Sequence, residues 1–110
     1  MIYLASPYSH PNQSIQLERF EAAQKFTAKA ITRGHIIFSP IVHCHYLALL
    51  FEMPSDFQFW NRYNFGMLEA AKELWVLKLE GWEESLGVNG EIEFATRKRL
   101  AVTYVKMDYF

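Results

Sequence analysis

The sequence predicts a three-layer α/β domain on a short, mainly parallel sheet of about four to five strands. Three observations carry that reading. Short apolar runs alternate with longer segments of helical periodicity, in the order β-α-β-α-β-α-β. The runs Ile2-Tyr3-Leu4-Ala5 and Leu74-Trp75-Val76-Leu77 lack polar alternate positions, as strands covered on both faces do. After the second run the chain turns through Gly81 and Gly87 into a helical segment with a carboxylate, Glu91, in its expected first turn. In an open α/β sheet, ligands bind in the crevice beyond the carboxyl ends of the strands, where this turn falls.

Each element has its own signal. Residues 2–5 form the first strand, and Ser6-Pro7-Tyr8-Ser9-His10-Pro11-Asn12 is a turn-rich loop with two prolines. A helix is predicted over 14–33, where Phe20, Ala23, Phe26 and Ala30 recur at three- and four-residue steps. Glu18, Glu21, Lys25 and Lys29 take its wet side, and Gly34 is its stop. Residues 35–38 make a second short strand ended by Ser39-Pro40. Residues 41–51 fit either a short helix or an irregular lid, stopped by Pro54. Ser55-Asp56-Phe57-Gln58 has the form of a capping box for a helix reaching about Lys72. A third strand is predicted over 74–79, a helix over 88–99 and a last strand over 100–105. Right-handed crossovers then put helices on both faces of the sheet. With no linker and no repeat, residues 1–110 are one domain.

Composition excludes several classes. The net charge of -1, from 11 basic and 12 acidic residues, gives no footprint of a duplex nucleic-acid binder. No apolar run approaches the roughly 18 residues of a membrane span, and the first residues lack signal-peptide character. One cysteine, Cys44, excludes an internal disulfide and fits a reducing, cytoplasmic setting. Nine Phe, six Tyr and three Trp are many for a core this small, so some rings are expected in a pocket or subunit contact.

Candidate chemistry concentrates in a few side chains. Glu91 is an anion beside the expected ligand crevice; its bland alternative is to complement the positive end of its helix, worth about 0.3–1 kcal/mol. The Ser6-Pro7-Tyr8 loop follows the first strand, where such folds meet phosphate or sugar; a proline-stiffened surface turn is the alternative. His43 and His45 flank Cys44, but their spacing does not make a helical metal pair and no second ligand cluster exists. One buried, hydrogen-bonded histidine and one directed at solvent or pocket is the ordinary arrangement, and a pocket histidine, whichever of the two it is, suits proton transfer. Trp60, Tyr63 and Trp82 are candidates for stacking on a flat base or for packing between helices or subunits. Phe20, Phe26, Phe57 and Phe94 read as core. Glu93 falls on a different helix face from Glu91.

Three segments together carry a resemblance. Ile2-Tyr3-Leu4-Ala5-Ser6-Pro7-Tyr8, Ser39-Pro40-Ile41-x-His43-x-His45 and Trp82-x-x-Ser85-x-Gly87-Val88-x-x-Glu91-x-x-x-Ala95 occur in this order over nearly the whole chain. The set resembles the nucleoside 2-deoxyribosyltransferase superfamily, and a small bacterial and phage branch of it in particular. The resemblance implies a Rossmann-like (flavodoxin-like) domain and an N-glycosyl enzyme, a 2-deoxyribosyltransferase or an N-glycoside hydrolase. In that family the glutamate matching Glu91 attacks the anomeric carbon and expels the base. A carboxylate suits an oxocarbenium-like transition state because it both stabilises the charge and bonds to carbon. The family also uses an aspartate eight residues before an Ala-Asp pair; here Asn64 and Lys72 stand at those positions. Asparagine orients a sugar or base but carries no proton near neutral pH, and Asp56, two turns earlier, is a poor substitute. A binding or sequestering module without turnover is therefore the alternative. The resemblance implies Glu91 and Asn64 as the catalytic pair, with Ser6, Pro7, Tyr8, His43, Trp60, Ser85 and Gly87 on the substrate side. The expected ligand is a small nucleoside or nucleotide, with no metal and no organic cofactor. A domain this short should have a shallow pocket, completed in a homo-oligomer, a dimer or tetramer.

Overall fold

The computed structural model describes all 110 residues. Four parallel strands, β1 (Ile2–Ala5), β2 (Ile37–Phe38), β3 (Glu73–Leu77) and β4 (Ala101–Val105), lie in the order β2-β1-β3-β4. Four α-helices connect them: α1 (Gln13–Thr32), α2 (Pro40–Leu50), α3 (Phe57–Glu69) and α4 (Leu86–Arg97). The predicted three-layer α/β class and parallel sheet are what the chain forms.

The layers follow from strand alternation. Ile2, Leu4, Trp75 and Leu77 point to one face and pack with Phe26 of α1 and with Val105. Tyr3, Ala5, Leu74 and Val76 point to the other and pack with Leu68 of α3 and with Val88 and Ala95 of α4. Helix α2 leans on α1 through Ile41, Phe20, Ala23 and Tyr8. The chain leaves β1 toward β2 on one side and later passes from β3 to β4 on the other. The order therefore reverses between β1 and β3, and a crevice opens at their carboxyl ends.

Several boundaries differ from the sequence reading, each for a local reason. Segment 41–51 is a helix, started by Ser39, whose Oγ accepts from the Val42 N–H, and by Pro40 in the first helical position. It ends at Leu50, before Pro54, and Glu52 turns the chain out with φ 53°. The capping box does not form. Asp56 caps α3 instead, its Oδ1 2.8 Å from the Phe59 N–H, and α3 stops at Glu69 rather than near Lys72. Strand β2 has two residues, Ile37 and Phe38, paired with Ile2 and Tyr3 of β1; His35 packs against Trp75 and Phe110 instead. Strand β3 ends at Leu77, and β4 begins at Ala101. Gly34 is the helix stop as predicted, with φ +92°. No helix is long and apolar enough to cross a membrane.

The aromatic excess is partly absorbed within the monomer. Trp75, Tyr109, Phe110, His35 and Phe26 form one cluster on the α1 side. Phe20 and Phe26 are core as expected; Phe57 and Phe94 are only half-buried.

Candidate active site

Helix α4 starts two residues earlier than the sequence suggests. Ser85 is its cap, with Oγ 3.2 Å from the Val88 N–H. Glu91 therefore sits in the second turn, beyond reach of the helix-end charge, which acts within the first turn. The simple role of complementing the helix terminus is thereby weakened. Glu91 is 4 % exposed and faces inward under the carboxyl end of β1, where the Tyr3 hydroxyl donates to its Oε2. Burial drives the Glu91 carboxyl from its ordinary 4.5 to about 8, and the Tyr3 hydrogen bond only partly opposes the rise. Burial, followed by the Glu91 charge, likewise lifts Tyr3 well above the usual phenol range.

Glu91 lies at one side of a cleft of about 1130 Å³. That is slightly above the usual range of small-molecule sites, roughly 300–1,000 Å³. The walls come from the Ser6–His10 loop after β1, the first half of α1, the start of α3 and the turn from Leu79 through Gly87 after β3. The cleft thus occupies the switch point between β1 and β3.

Three buried side-chain polar atoms have no partner, and two of them, the Ser6 hydroxyl oxygen and the Asn64 side-chain carbonyl, belong to residues that share the cleft lining with Glu91; the third, Thr27 Oγ1, lies outside it. Ser6 and Asn64 are both more than nine-tenths buried. Orphaned buried polar atoms cost about 1–3 kcal/mol each, so a pair in one cavity is a mark of a ligand site.

The other predicted residues divide. Tyr8, Trp60, Ser85 and Gly87 line the cleft; Pro7 is fully buried behind it. The Tyr8 hydroxyl pairs with His45 Nδ1 at 2.7 Å, and burial raises its pKa to about 12. Trp60 donates its indole N–H to the Pro54 carbonyl at 2.7 Å. Gly87 and Gly90 let α4 approach the Phe57 ring closely: a Cβ on Gly90 would meet it at 2.7 Å. His43 is not in the cleft. It is exposed, stacked on Tyr63 and 3.1 Å from the Tyr63 hydroxyl, so the helix carries it to the outer surface. His45 is the buried histidine, stacked on Phe20, and burial lowers its pKa. Of the three stacking candidates only Trp60 reaches the cleft; Trp82 packs on Tyr104. Asp56 lies at the mouth and is spent on capping α3. Glu93 is exposed, away from the site.

Two residues that matter here escape the sequence reading. Tyr3 is legible only as a strand residue, although a tyrosine inside an all-apolar strand needs a partner for its hydroxyl. Arg19 spans the cleft mouth: its guanidinium donates to the Ser9 carbonyl at 3.0 Å and to the Glu80 carbonyl at 3.3 Å. It runs beneath Gly81, whose φ of +88° and missing Cβ make room for it.

Residues 1–107 match the family described as Domain of unknown function (DUF1937), and the chain belongs to that family. No curated protein matches the sequence significantly.

Proposed function

We propose that this chain is a nucleoside or nucleotide N-glycosyl enzyme, a 2-deoxyribosyltransferase or an N-glycoside hydrolase, with Glu91 as nucleophile. One observation carries the reading. A fully buried carboxyl, held by a tyrosine, opens on a switch-point cleft beside two unpartnered polar atoms. The resemblance of the ordered motifs to the nucleoside 2-deoxyribosyltransferases supports it.

In this reading a Glu91 oxygen bonds to the anomeric carbon as the bond to the base breaks, and another base or water then takes the sugar from the glycosyl ester. Tyr3 fixes the carboxylate; Ser6 and Asn64 orient sugar hydroxyls or the base edge. Only ionised Glu91 attacks, so cleavage should rise with pH through about 8. No metal or organic cofactor enters this chemistry, and a reducing, cytoplasmic setting suits the free thiol of Cys44.

The second reading is a binder without turnover. Asn64 favours it, because the cleft then lacks the family's proton carrier. Glu91→Gln separates the two. Cleavage of the best substrate, found from a nucleoside and nucleotide panel by thermal shift, should fall by several orders of magnitude while binding changes little. Unchanged cleavage sinks Glu91 as nucleophile; binding without cleavage by either protein establishes the binder.

We also propose a homo-oligomer. Leu49, Leu50 and Phe51 at the end of α2 are each more than 60 % exposed, with Tyr46, Phe59 and Tyr63 also exposed on α2 and α3. Light scattering at micromolar concentration should report a dimer or tetramer, and a stable monomer with full ligand affinity would dismiss this.

A further inference from the structure

The charges around the cleft are lopsided. Glu18, Asp56, Glu80, Glu84 and Glu91 all line it. Arg19 is the one lysine or arginine in the lining, and its guanidinium is already committed to the Ser9 and Glu80 carbonyls. Lys78 and Lys106 lie in a separate depression beside Trp82. Carbonyl hydrogen bonds leave the Arg19 charge in place, so a phosphate in the cleft would meet four rim carboxylates against that one guanidinium, with the His10 imidazole also in the lining. Inside, the unpartnered Asn64 side-chain carbonyl is an acceptor that attracts positive charge, and the Ser6 hydroxyl can accept as well. Neither protonates a departing base near neutral pH.

We propose that the cleft takes unphosphorylated N-glycosides whose base carries a fixed positive charge, such as an N-alkylated or pyridinium nucleoside. This rests on the N-glycosyl reading above and names its substrate class. The chemistry closes without a proton donor. A Glu91 oxygen bonds to the anomeric carbon, and the carbon–nitrogen bond breaks with its electron pair passing to the ring nitrogen. That pair cancels the positive charge, so the base departs neutral. Water then attacks the anomeric carbon, the ester bond returns its electrons to Glu91, and the water's surplus proton passes to solvent. The bound cation also favours the ionised form of Glu91, so the correct ligand generates its own nucleophile. The absence of a carboxylate at position 64 becomes a consequence of the substrate rather than a defect.

The test compares pairs of near-identical shape. Binding to the wild-type protein is measured by calorimetry at low salt for nicotinamide riboside against its neutral dihydro form, and for 7-methylguanosine against guanosine. The charged member should bind about tenfold or more tightly, with the preference shrinking as salt rises. Nicotinamide mononucleotide, which adds the 5′-phosphate, should bind more weakly than the riboside. The double variant Glu80→Gln, Glu84→Gln should reduce the charge preference while leaving affinity for the neutral members nearly unchanged. Equal binding of charged and neutral members in both pairs, or tighter binding of the phosphorylated one, overturns the proposal. Base release followed in parallel keeps the two claims apart: a charge preference without cleavage removes the enzyme reading, cleavage that survives Glu91→Gln removes Glu91 as nucleophile, and either result leaves the cation-selective cleft standing.

Discussion

On the α1 face of the sheet, Ile2, Leu4, Trp75 and Leu77 meet Phe26, and the Trp75 indole N–H is bonded to Glu73 at 2.6 Å. On the opposite face the same strands present Tyr3, Ala5, Leu74 and Val76, and the layer includes a buried acid, Glu91, with Asn64 and Ser6 unpartnered at its edge. The first face departs from the ordinary rules of burial only at one hydroxyl, Thr27 Oγ1 on α1, which is unpartnered but lines no part of the cleft. The second departs from them with three polar groups gathered in the lining of one cleft. Local violations of otherwise consistent packing are where function is expected, because each costs stability that only a task can justify.

The largest expected effect that tests this contrast is the stability of Glu91→Gln against pH. The folded carboxyl titrates near 8 against an ordinary 4.5, so folding favours the protonated form. Its stabilising contribution is complete below about 4.5, falls as pH rises, and is lost above about 8. Glutamine has no such loss. The variant should match the wild type near pH 5 and exceed it by a few kcal/mol near pH 9 in denaturant titrations. A wild type that stays equally stable at the higher pH would show that Glu91 is solvated or paired when charged, and the two faces would then differ less than their burial implies.

How much of this is legible in the sequence differs between the same two faces. Strand runs and helical periodicity predict the order of the elements, because apolar spacing is a local property. The switch-point cleft follows from that order; the turn after the third strand and the loop after the first put Glu91 and Ser6 beside it, whereas Asn64 enters only through the family resemblance. Burial of Glu91 is not legible: the helix start shifts with the Ser85 cap, and the residue moves from first turn to second. Nor is the Tyr3 partnership, which joins residues 88 positions apart. The sequence misplaces His43 because residues 41–51 leave helix and lid open. Once the segment is a helix, positions 43 and 45 point in different directions, and only His45 turns inward.

Asn64→Asp asks whether the site face lacks a proton carrier or has no need of one. With a neutral nucleoside the new carboxyl can protonate the leaving base, and general acid catalysis of this kind is worth about 10²–10⁴-fold at best. A gain of about tenfold is expected, since no neighbour has adapted to the new acid. With a substrate whose base is already cationic, the same change should leave the chemical step nearly unaltered. Single-turnover base release from matched neutral and charged nucleosides reads the difference. Equal acceleration of both would mean that the introduced carboxyl acts on the sugar rather than on the leaving group.

The smallest effect lies in the backbone of the site face. Gly66 in α3 has nothing within 4 Å of a would-be Cβ, so Gly66→Ala should gain the helix-propensity difference, about 0.5–1 kcal/mol. Gly90→Ala offers the same gain but drives a methyl to 2.7 Å from Phe57 Cζ. Overpacking of that kind costs about 1–3 kcal/mol when neighbours are fixed. Phe57 is half-buried and borders the cleft, so its ring can give way, and the cost falls toward the lower end. Gly90→Ala should therefore come out near neutral or mildly destabilising, with weakened ligand binding as the displaced ring enters the cleft. Denaturant midpoints and ligand affinities for the two variants decide it. If Gly90→Ala is as stabilising as Gly66→Ala and binds ligand normally, the close approach of α4 to Phe57 does not shape the site, and the departure from ordinary packing is confined to Glu91 and its polar neighbours.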